Sequence, residues 1–329
     1  MTLESLVGTV ANQAAITALL SRIGRGDTVL FAGAGVSMPA GFPSWSDLLK
    51  ALEGVCDSVG GGFVRDERAR RDDPLVYVDA IKSHVEACRG TLDRYAGELY
   101  RIFSAAPQIQ PFHEDLVALP FRAFMTTNYE PTIETALAST EFEPSEKSVV
   151  IGLDYRTHAL AYIRSLITPQ KGRLVAHLHG WFKQPESIVL SLSDYERAYG
   201  LGRPGQVTPL LDFLNTAVPP VSLVFIGFSF EDPSFGAFLA ATGDRFATWG
   251  SPIHYALIGT SQADARRDVA RAAQYKEHYS VETVFYEKRG QSHQHLYEMI
   301  AEFRDGIGIT KRRPAVVDFN DRMVEGMRG

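Results

Sequence analysis

From residue 120 onward one pattern recurs and limits what the chain can fold into. A short apolar run ends in small or hydroxylated residues, and a stretch of helical period follows. The runs are FRAFMTT, KSVVIGL, RLVAHLHG, SIVLS, SLVFIGFSF, IHYALIG and VETVFYE, with helical text between most of them at 130–139, 206–216, 232–246, 261–279 and 293–305. TVLFAGAGVS, near the N-terminus, has the same form. A continuous apolar run of this length suits a strand buried on both faces, as in parallel sheets. Strands alternating with helices predict an α/β fold, a doubly wound and mainly parallel sheet with helices on both faces. Ligands bind such sheets outside the carboxyl ends of the strands, and every chemically suggestive stretch of this sequence sits at such an end.

Around that frame, residues 3–23 carry Leu3, Leu6, Val7, Val10, Ile16, Leu19, Leu20 and Ile23 at helical spacing, closed by Gly24 and Gly26. Ser44 or Ser46 is placed to cap the next helix, WSDLLKALEGVCDSV. Residues 60–115 hold charged, mainly helical text with no obvious strand. They are expected to form a helical insertion inside one domain covering 1–329, with 308–329 as a tail of little apolar periodicity. The run RDERARRDD at 65–73 reads as a solvated face or loop.

Composition excludes several function classes. The 329 residues are 45% hydrophobic and 22% charged, as in an ordinary globular enzyme. A net charge of −6 argues against a whole-protein grip on nucleic acid, and KRRP at 311–314 reads as solvated tail, so no direct nucleic-acid contact is expected. Cys56 and Cys88 form no CxxC pair, which leaves neither a disulfide framework nor a thiolate zinc site. No signal peptide and no bilayer-length apolar run is found, so a cytoplasmic protein without a membrane partner is expected.

Four strand ends carry the chemistry. FAGAGVS places Gly33, Ala34 and Gly35 where a strand stops, so backbone N–H groups could approach a phosphate, and Ser37 adds a hydroxyl. The spacing GxGxxG fails at Met38, and a tight turn needing small residues would read the same way. AHLHG sets His177 and His179 two apart on a strand, expected on one face. They read as structural residues, as a metal pair lacking a third ligand nearby, or, for His179 at the strand's end, as a base. FIGFSFEDPSF breaks at Gly227, offers Ser229, and gives Asp232 before Pro233, where an N-cap is the simplest role. RAFMTTNYEP delivers Thr126, Thr127 and Asn128 to the end of another apolar run.

The order GAGVS, GFPSW, TTNYE, HLHG and GFSFED resembles the sirtuin superfamily, and within it the sirtuin-like branch of bacterial antiphage defence. The matching stretches run from residue 31 to about 235, and KEHYSVETVFYEKRGQSHQHLYEMIAEF is similar to the end of the same domain. The resemblance implies a Rossmann-like fold that binds NAD+ as substrate and cleaves its nicotinamide N-glycosidic bond. It implies Asn128 as the group positioning a ribose hydroxyl and an attacking water, donating and accepting at once. His179 would be general base or ribose partner, and Gly33, Ala34, Gly35, Ser37, Trp45, Thr127, Gly227, Ser229 and Asp232 would hold the dinucleotide. Residues 181–226 contain no cysteine where deacylases of the superfamily carry a four-cysteine zinc module. No zinc is therefore expected and deacylation is disfavoured, leaving water as acceptor and nicotinamide and ADP-ribose as products. Ser44 and Ser46 replace an acid and an arginine of the family, and Glu130 stands where relatives have aspartate in the nicotinamide pocket.

An ungated NAD+ hydrolase would deplete its own cell. Control is therefore expected through a homo-oligomer or a partner protein, for which the family offers hexameric ATPase translocases, short Argonautes and nucleotide-processing proteins. Competing readings are an NAD-dependent deacylase or ADP-ribosyltransferase, and a non-catalytic NAD or ADP-ribose-binding scaffold. The presence of both Asn128 and His179 favours an enzyme.

Overall fold

The strand Thr28–Ala32 (β1) is buried at every position, and the pleat sends Val29 and Phe31 to one layer and Leu30 and Ala32 to the other. It lies in the middle of an eight-stranded sheet. The other strands are Phe124–Thr126 (β2), Val149–Gly152 (β3), Tyr155–Thr157 (β4), Val175–His177 (β5), Ser222–Ile226 (β6), His254–Thr260 (β7) and Val281–Glu287 (β8). The spatial order is β4-β3-β5-β2-β1-β6-β7-β8, parallel throughout except where β4 pairs antiparallel with β3. The sheet is the doubly wound, Rossmann-like α/β arrangement that the alternating text predicts. This computed structural model describes residues 6–140, 149–152, 155–168, 173–200, 207–230, 235–236, 238–239, 254–290 and 292–308. The expected helix at 232–246 lies largely outside them, as does KRRP and the tail beyond residue 308.

The chain leaves β1 toward β2 on one side and returns at β6 on the other, which makes the crevice between the ends of β1 and β6 the topological switch point. One helical layer includes Ala159–Ile167, Leu192–Tyr199, Pro209–Ala217 and Ala265–Tyr279. The other includes Val10–Gly24, Pro111–Ala118, Thr132–Thr140 and Gln294–Gly306. Beneath the switch point Phe31 packs on Phe225, Phe228 and Phe235, with ring centroids 4.9, 5.1 and 4.7 Å apart. Each such pair contributes about 0.5–1.5 kcal/mol beyond its buried area, so aromatic packing supports the floor of the crevice.

Between β1 and β2 the described secondary structure is helical only. The helices Trp45–Val59, Pro74–Arg89 and Asp93–Phe103 build a third core from Leu49, Leu52, Tyr77, Ile81 and Leu99, which also takes in Tyr129, Trp181 and Phe182. The helix Pro111–Ala118, at the end of the expected insertion, instead packs Phe112 and Leu116 into a sheet layer. RDERARRDD contains the helix Glu67–Asp72, with no buried residue and an Asp66 cap. Its Arg70 reaches back to Glu53 at 3.0 Å.

SIVLS is not a strand. Ser191 and Asp194 form a capping box that starts the helix Leu192–Tyr199, and the Leu190 N–H donates to Asp194 Oδ2 (3.3 Å) rather than to a ladder. Ile188, Val189 and Leu190 are buried as an irregular plug. The edge strand β4 instead comes from Tyr155–Thr157, whose three residues give too short a pattern to read. Among the described residues no helix is long and apolar enough to cross a membrane.

Candidate active site at the switch point

The carboxyl ends of β1, β2, β5 and β6 converge on one cavity of about 500 Å³, walled on its far side by Trp45, Leu48 and Phe103 of the helical module. Ala34, Gly35, Ser37, Trp45, Thr127, Asn128, His179, Gly227 and Ser229 all line it. Gly33 is not among the lining residues, and Asp232 lies outside the described residues. The apolar strands thus deliver hydroxyls and an amide to a common space, as parallel strands with a shared direction must. Trp45 begins the helix Trp45–Val59, whose N-terminus Ser44 caps by accepting from the Asp47 N–H (3.2 Å). Trp45 is 38% exposed and lines the cavity.

The two glycines of GAG serve a different purpose from the expected phosphate contact. The Gly33 N–H donates to the Ile226 carbonyl (2.9 Å) and the Gly35 N–H to the Gly227 carbonyl (3.0 Å), so both donors are consumed by β6. A Cβ on Gly33 would sit 2.3 Å from the Gly227 oxygen, and one on Gly35 2.8 Å from Gly227 Cα. Gly227 itself has φ +67°, in the left-handed region that suits glycine. Two backbones cross here, and the small residues are required by that crossing. Phe230, three residues on, also holds a left-handed φ of 56°, unusual for a bulky side chain.

Asn128 is fixed from several directions. Its Nδ2 donates to the Gly33 carbonyl (3.0 Å) and to Ser37 Oγ (2.7 Å). Because a carbonyl can only accept, Gly33 fixes which end of the amide is nitrogen. The Asn128 N–H donates to Thr126 Oγ1 (3.0 Å), whose hydroxyl donates to the Ala32 carbonyl (2.8 Å). Both amide hydrogens are spent within the protein. The expectation that Asn128 donates and accepts toward a ligand is therefore corrected: its Oδ1 is left to accept. Ser37 Oγ donates to Glu130 Oε1, and Glu130 Oε2 accepts from the Thr132 N–H (2.7 Å) and the Thr132 hydroxyl. Glu130 is 3% exposed, and burial raises its pKa against the opposing hydrogen bonds from Ser37 and Thr132.

His177 and His179 do not share a face. β5 ends at His177, and the turn that follows breaks the two-residue alternation. His177 faces the Asn128 carbonyl with Nδ1 (2.8 Å) and Glu134 Oε1 with Nε2 (2.7 Å), on the layer of the helix Thr132–Thr140. His179 goes to the opposite layer, with Nε2 2.9 Å from Tyr199 Oη and Nδ1 3.5 Å from Tyr195 Oη. Rings turned to opposite layers do not suit one ion bound by the pair. Among the described residues no group of three or more His, Cys, Asp or Glu could hold a metal. Gly180 follows with φ +92°, and a Cβ there would lie 2.3 Å from the Ser187 oxygen.

Sequence reasoning missed Tyr195, Tyr199 and the part played by Glu130. Tyr195 and Tyr199 stand four apart in YERAY, so their shared helical face was legible, while their meeting with His179 depends on tertiary packing. Among the described residues lining the cavity there is no lysine or arginine. A bound anion would there meet hydroxyls and backbone.

Residues 122–284 match the family model described as SIR2-like domain. Relatives include three proteins each called NAD(+) hydrolase ThsA. That of Bacillus cereus (strain MSX-D12) is 26% identical over 70% of this chain and 43% of its own length. That of Enterococcus faecium is 27% identical over 66% and 40%, and that of Acinetobacter baumannii (strain 532279) 26% identical over 77% and 47%. The chain thus matches less than half the length of these curated relatives.

Proposed function

Starting from a chain that carries a SIR2-like domain, we propose that it hydrolyses NAD+ at the nicotinamide N-glycosidic bond, giving nicotinamide and ADP-ribose. The observation that carries this reading is the convergence of Asn128 and His179 on one cavity at the switch point, where ligands of doubly wound sheets bind. The similarity to proteins named NAD(+) hydrolase supports the choice of substrate. The leaving group is a cationic pyridinium, so bond breaking needs little covalent help. It needs a ribose held where oxocarbenium-like charge is tolerated, and a water held in line. Asn128 Oδ1 accepts from a ribose hydroxyl or from that water. His179, whose ring nitrogens face the Tyr199 and Tyr195 hydroxyls, exchanges one of these contacts for the water. It takes the water's proton as the water adds to the anomeric carbon, and the glycosidic bonding pair leaves with nicotinamide. Ser37, Thr127, Ser229 and the Ala34–Gly35 backbone face the rest of the dinucleotide, while Trp45 closes the mouth. Binding energy from that remote half holds the reacting centre in position.

The reading extends to a gated effector of antiphage defence that depletes NAD+, with activity released by self-assembly or by a partner protein. The mass of the purified assembly, with and without substrate, separates the two. The test of the chemistry is nicotinamide release by purified protein, together with NAD+ content in cells expressing it. Asn128→Ala and His179→Ala are each expected to lower release on the order of 100- to 10,000-fold with the fold intact. Wild-type rates in both folded variants would overturn the mechanism.

A further inference from the structure

We propose that Glu130 is a positioning residue that sets the direction of a hydrogen-bond chain through Ser37 to Asn128, so that Asn128 meets a ligand as an acceptor. The catalytic purpose of this chain rests on the NAD+-cleavage reading; its direction is a property of the folded protein alone.

The logic follows from counting hydrogens. An ionised carboxylate only accepts. Glu130 Oε2 is taken by the Thr132 N–H and hydroxyl, and Oε1 by Ser37. A hydroxyl owns one hydrogen, so Ser37, having given it to Glu130, can only accept from Asn128 Nδ2. The Gly33 carbonyl takes the second amide hydrogen. The backbone of Asn128 is held as well, its N–H by Thr126 Oγ1 and its carbonyl by His177 Nδ1. Among the described residues, one polar atom of Asn128, Oδ1, is left without such a bond. A residue pinned at every other polar atom loses little freedom when a ligand arrives, which is the preorganisation that positioning requires.

Glu130 is the only member of this chain whose hydrogen-bonding sense can be inverted by a proton. Protonated, or replaced by an amide, it can donate to Ser37. The serine hydrogen then turns toward Asn128 and meets a donor, and the amide can turn to suit it only by opposing the Gly33 carbonyl. The charged groups around Glu130 are Glu134, whose charge raises its pKa further, and His177, which Glu130 in turn helps to hold protonated. Glu130 also lines the cavity, at the place where the resemblance puts an aspartate of the nicotinamide pocket. Both of its oxygens are already engaged by Ser37 and Thr132, and an aspartate, one methylene shorter, could not span the same pair without movement.

The test uses the full chain with two variants, Glu130→Gln, which is nearly isosteric, and Ser37→Ala. The first readout needs no substrate: hydrogen exchange of the Asn128 side-chain amide, followed by NMR. It is expected to be slow in the wild type and at least about tenfold faster in both variants. The second is NAD+ turnover, where kcat should fall on the order of 100-fold while KM stays within a few-fold. An acid limb in the wild-type kcat profile, set by Glu130, should be absent from Glu130→Gln. Unchanged amide protection in both variants would overturn the proposal. A wild type that protects the amide but cleaves no NAD+ would instead overturn the functional reading and leave the positioning intact. Lost protection with unchanged kcat and an unchanged acid limb would overturn the catalytic role of Glu130.

Discussion

At the scale of single residues, His177 shows how a buried histidine can act without touching a ligand. Its Nδ1 faces a carbonyl and its Nε2 a carboxylate, so both nitrogens are placed to donate, which favours the imidazolium. Burial is the largest influence and opposes that charge. The Glu134 charge and hydrogen bond, with the Asn128 carbonyl and the Glu130 charge, outweigh it and leave the pKa raised. A raised folded-state pKa means that the pair's stabilisation is fully present below the ordinary histidine value near 6.5 and is lost as pH rises through the higher folded value. Glu134→Gln, which removes the charge, is expected to cost about 1–3 kcal/mol at pH 6. The gap between wild type and variant should shrink as pH rises. Thermal unfolding at several pH values measures it, and a gap independent of pH would refute the imidazolium assignment. At this scale the sequence marks Asn128 and His179 as candidates, since each stands where an apolar run stops, and the fold brings both to one cavity. It does not show that both amide hydrogens of Asn128 are taken within the protein, because that depends on Gly33 and Ser37, some 90 residues away.

At the scale of elements, the decisive event is the crossing of the ends of β1 and β6. Gly33 and Gly35 lie against Gly227 with their N–H groups bonded to β6 carbonyls, so the cavity floor is shaped by two backbones in contact. Gly33→Ala places a methyl 2.3 Å from a backbone oxygen, and neither partner is a flexible side chain that could give way. It is expected to lower the unfolding midpoint by several degrees, on the order of 2–4 kcal/mol, and to abolish substrate binding. Gly24→Ala, at the end of the helix Val10–Gly24 with nothing within 4 Å of the added carbon, is the matched control. Its effect should lie within about 0.5 kcal/mol of zero or be slightly stabilising. Equal effects of the two substitutions in a denaturant titration would refute the crossing as the reason for Gly33.

At the scale of the molecule, the helical module and the sheet domain meet across the cavity and are tied together beside it. Lys82 Nζ binds Asp194 Oδ1 at 2.8 Å, and Asp79 accepts from the Ser193 N–H (2.9 Å) and hydroxyl (2.6 Å). These contacts seat the start of the helix Leu192–Tyr199, which carries the two tyrosines against His179. Lys82 is only 18% exposed at its side chain and Asp194 9%, so removing the cation leaves a carboxylate with little access to water. Lys82→Met is expected to raise hydrogen exchange across 192–199 and to lower NAD+ turnover on the order of tenfold, without unfolding the sheet. Exchange mapped by mass spectrometry would show it. Unchanged protection of that helix would mean that the module does not support the His179 side of the cavity.

The sequence by itself determined the layers and the place of the site. Continuous apolar runs, broken by small residues and separated by helical text, specify a parallel sheet, and a parallel sheet gathers its strand ends on one edge. That is why Ser37, Thr127, Asn128, His179 and Ser229, scattered along the chain, were readable as one group. Local pattern misled where a cap competed with a ladder, as at SIVLS, and where a strand ended one residue earlier than its apolar run, as at His177. Only the tertiary structure decided the directions of the hydrogen bonds: that the GAG donors face β6, that Glu130 commands Ser37, and that His177 holds a backbone while His179 faces the cavity. Period and composition report how one residue relates to its neighbours in the chain. The sense of a buried hydrogen bond is set by which distant group can only accept, and that is known once the chain has folded.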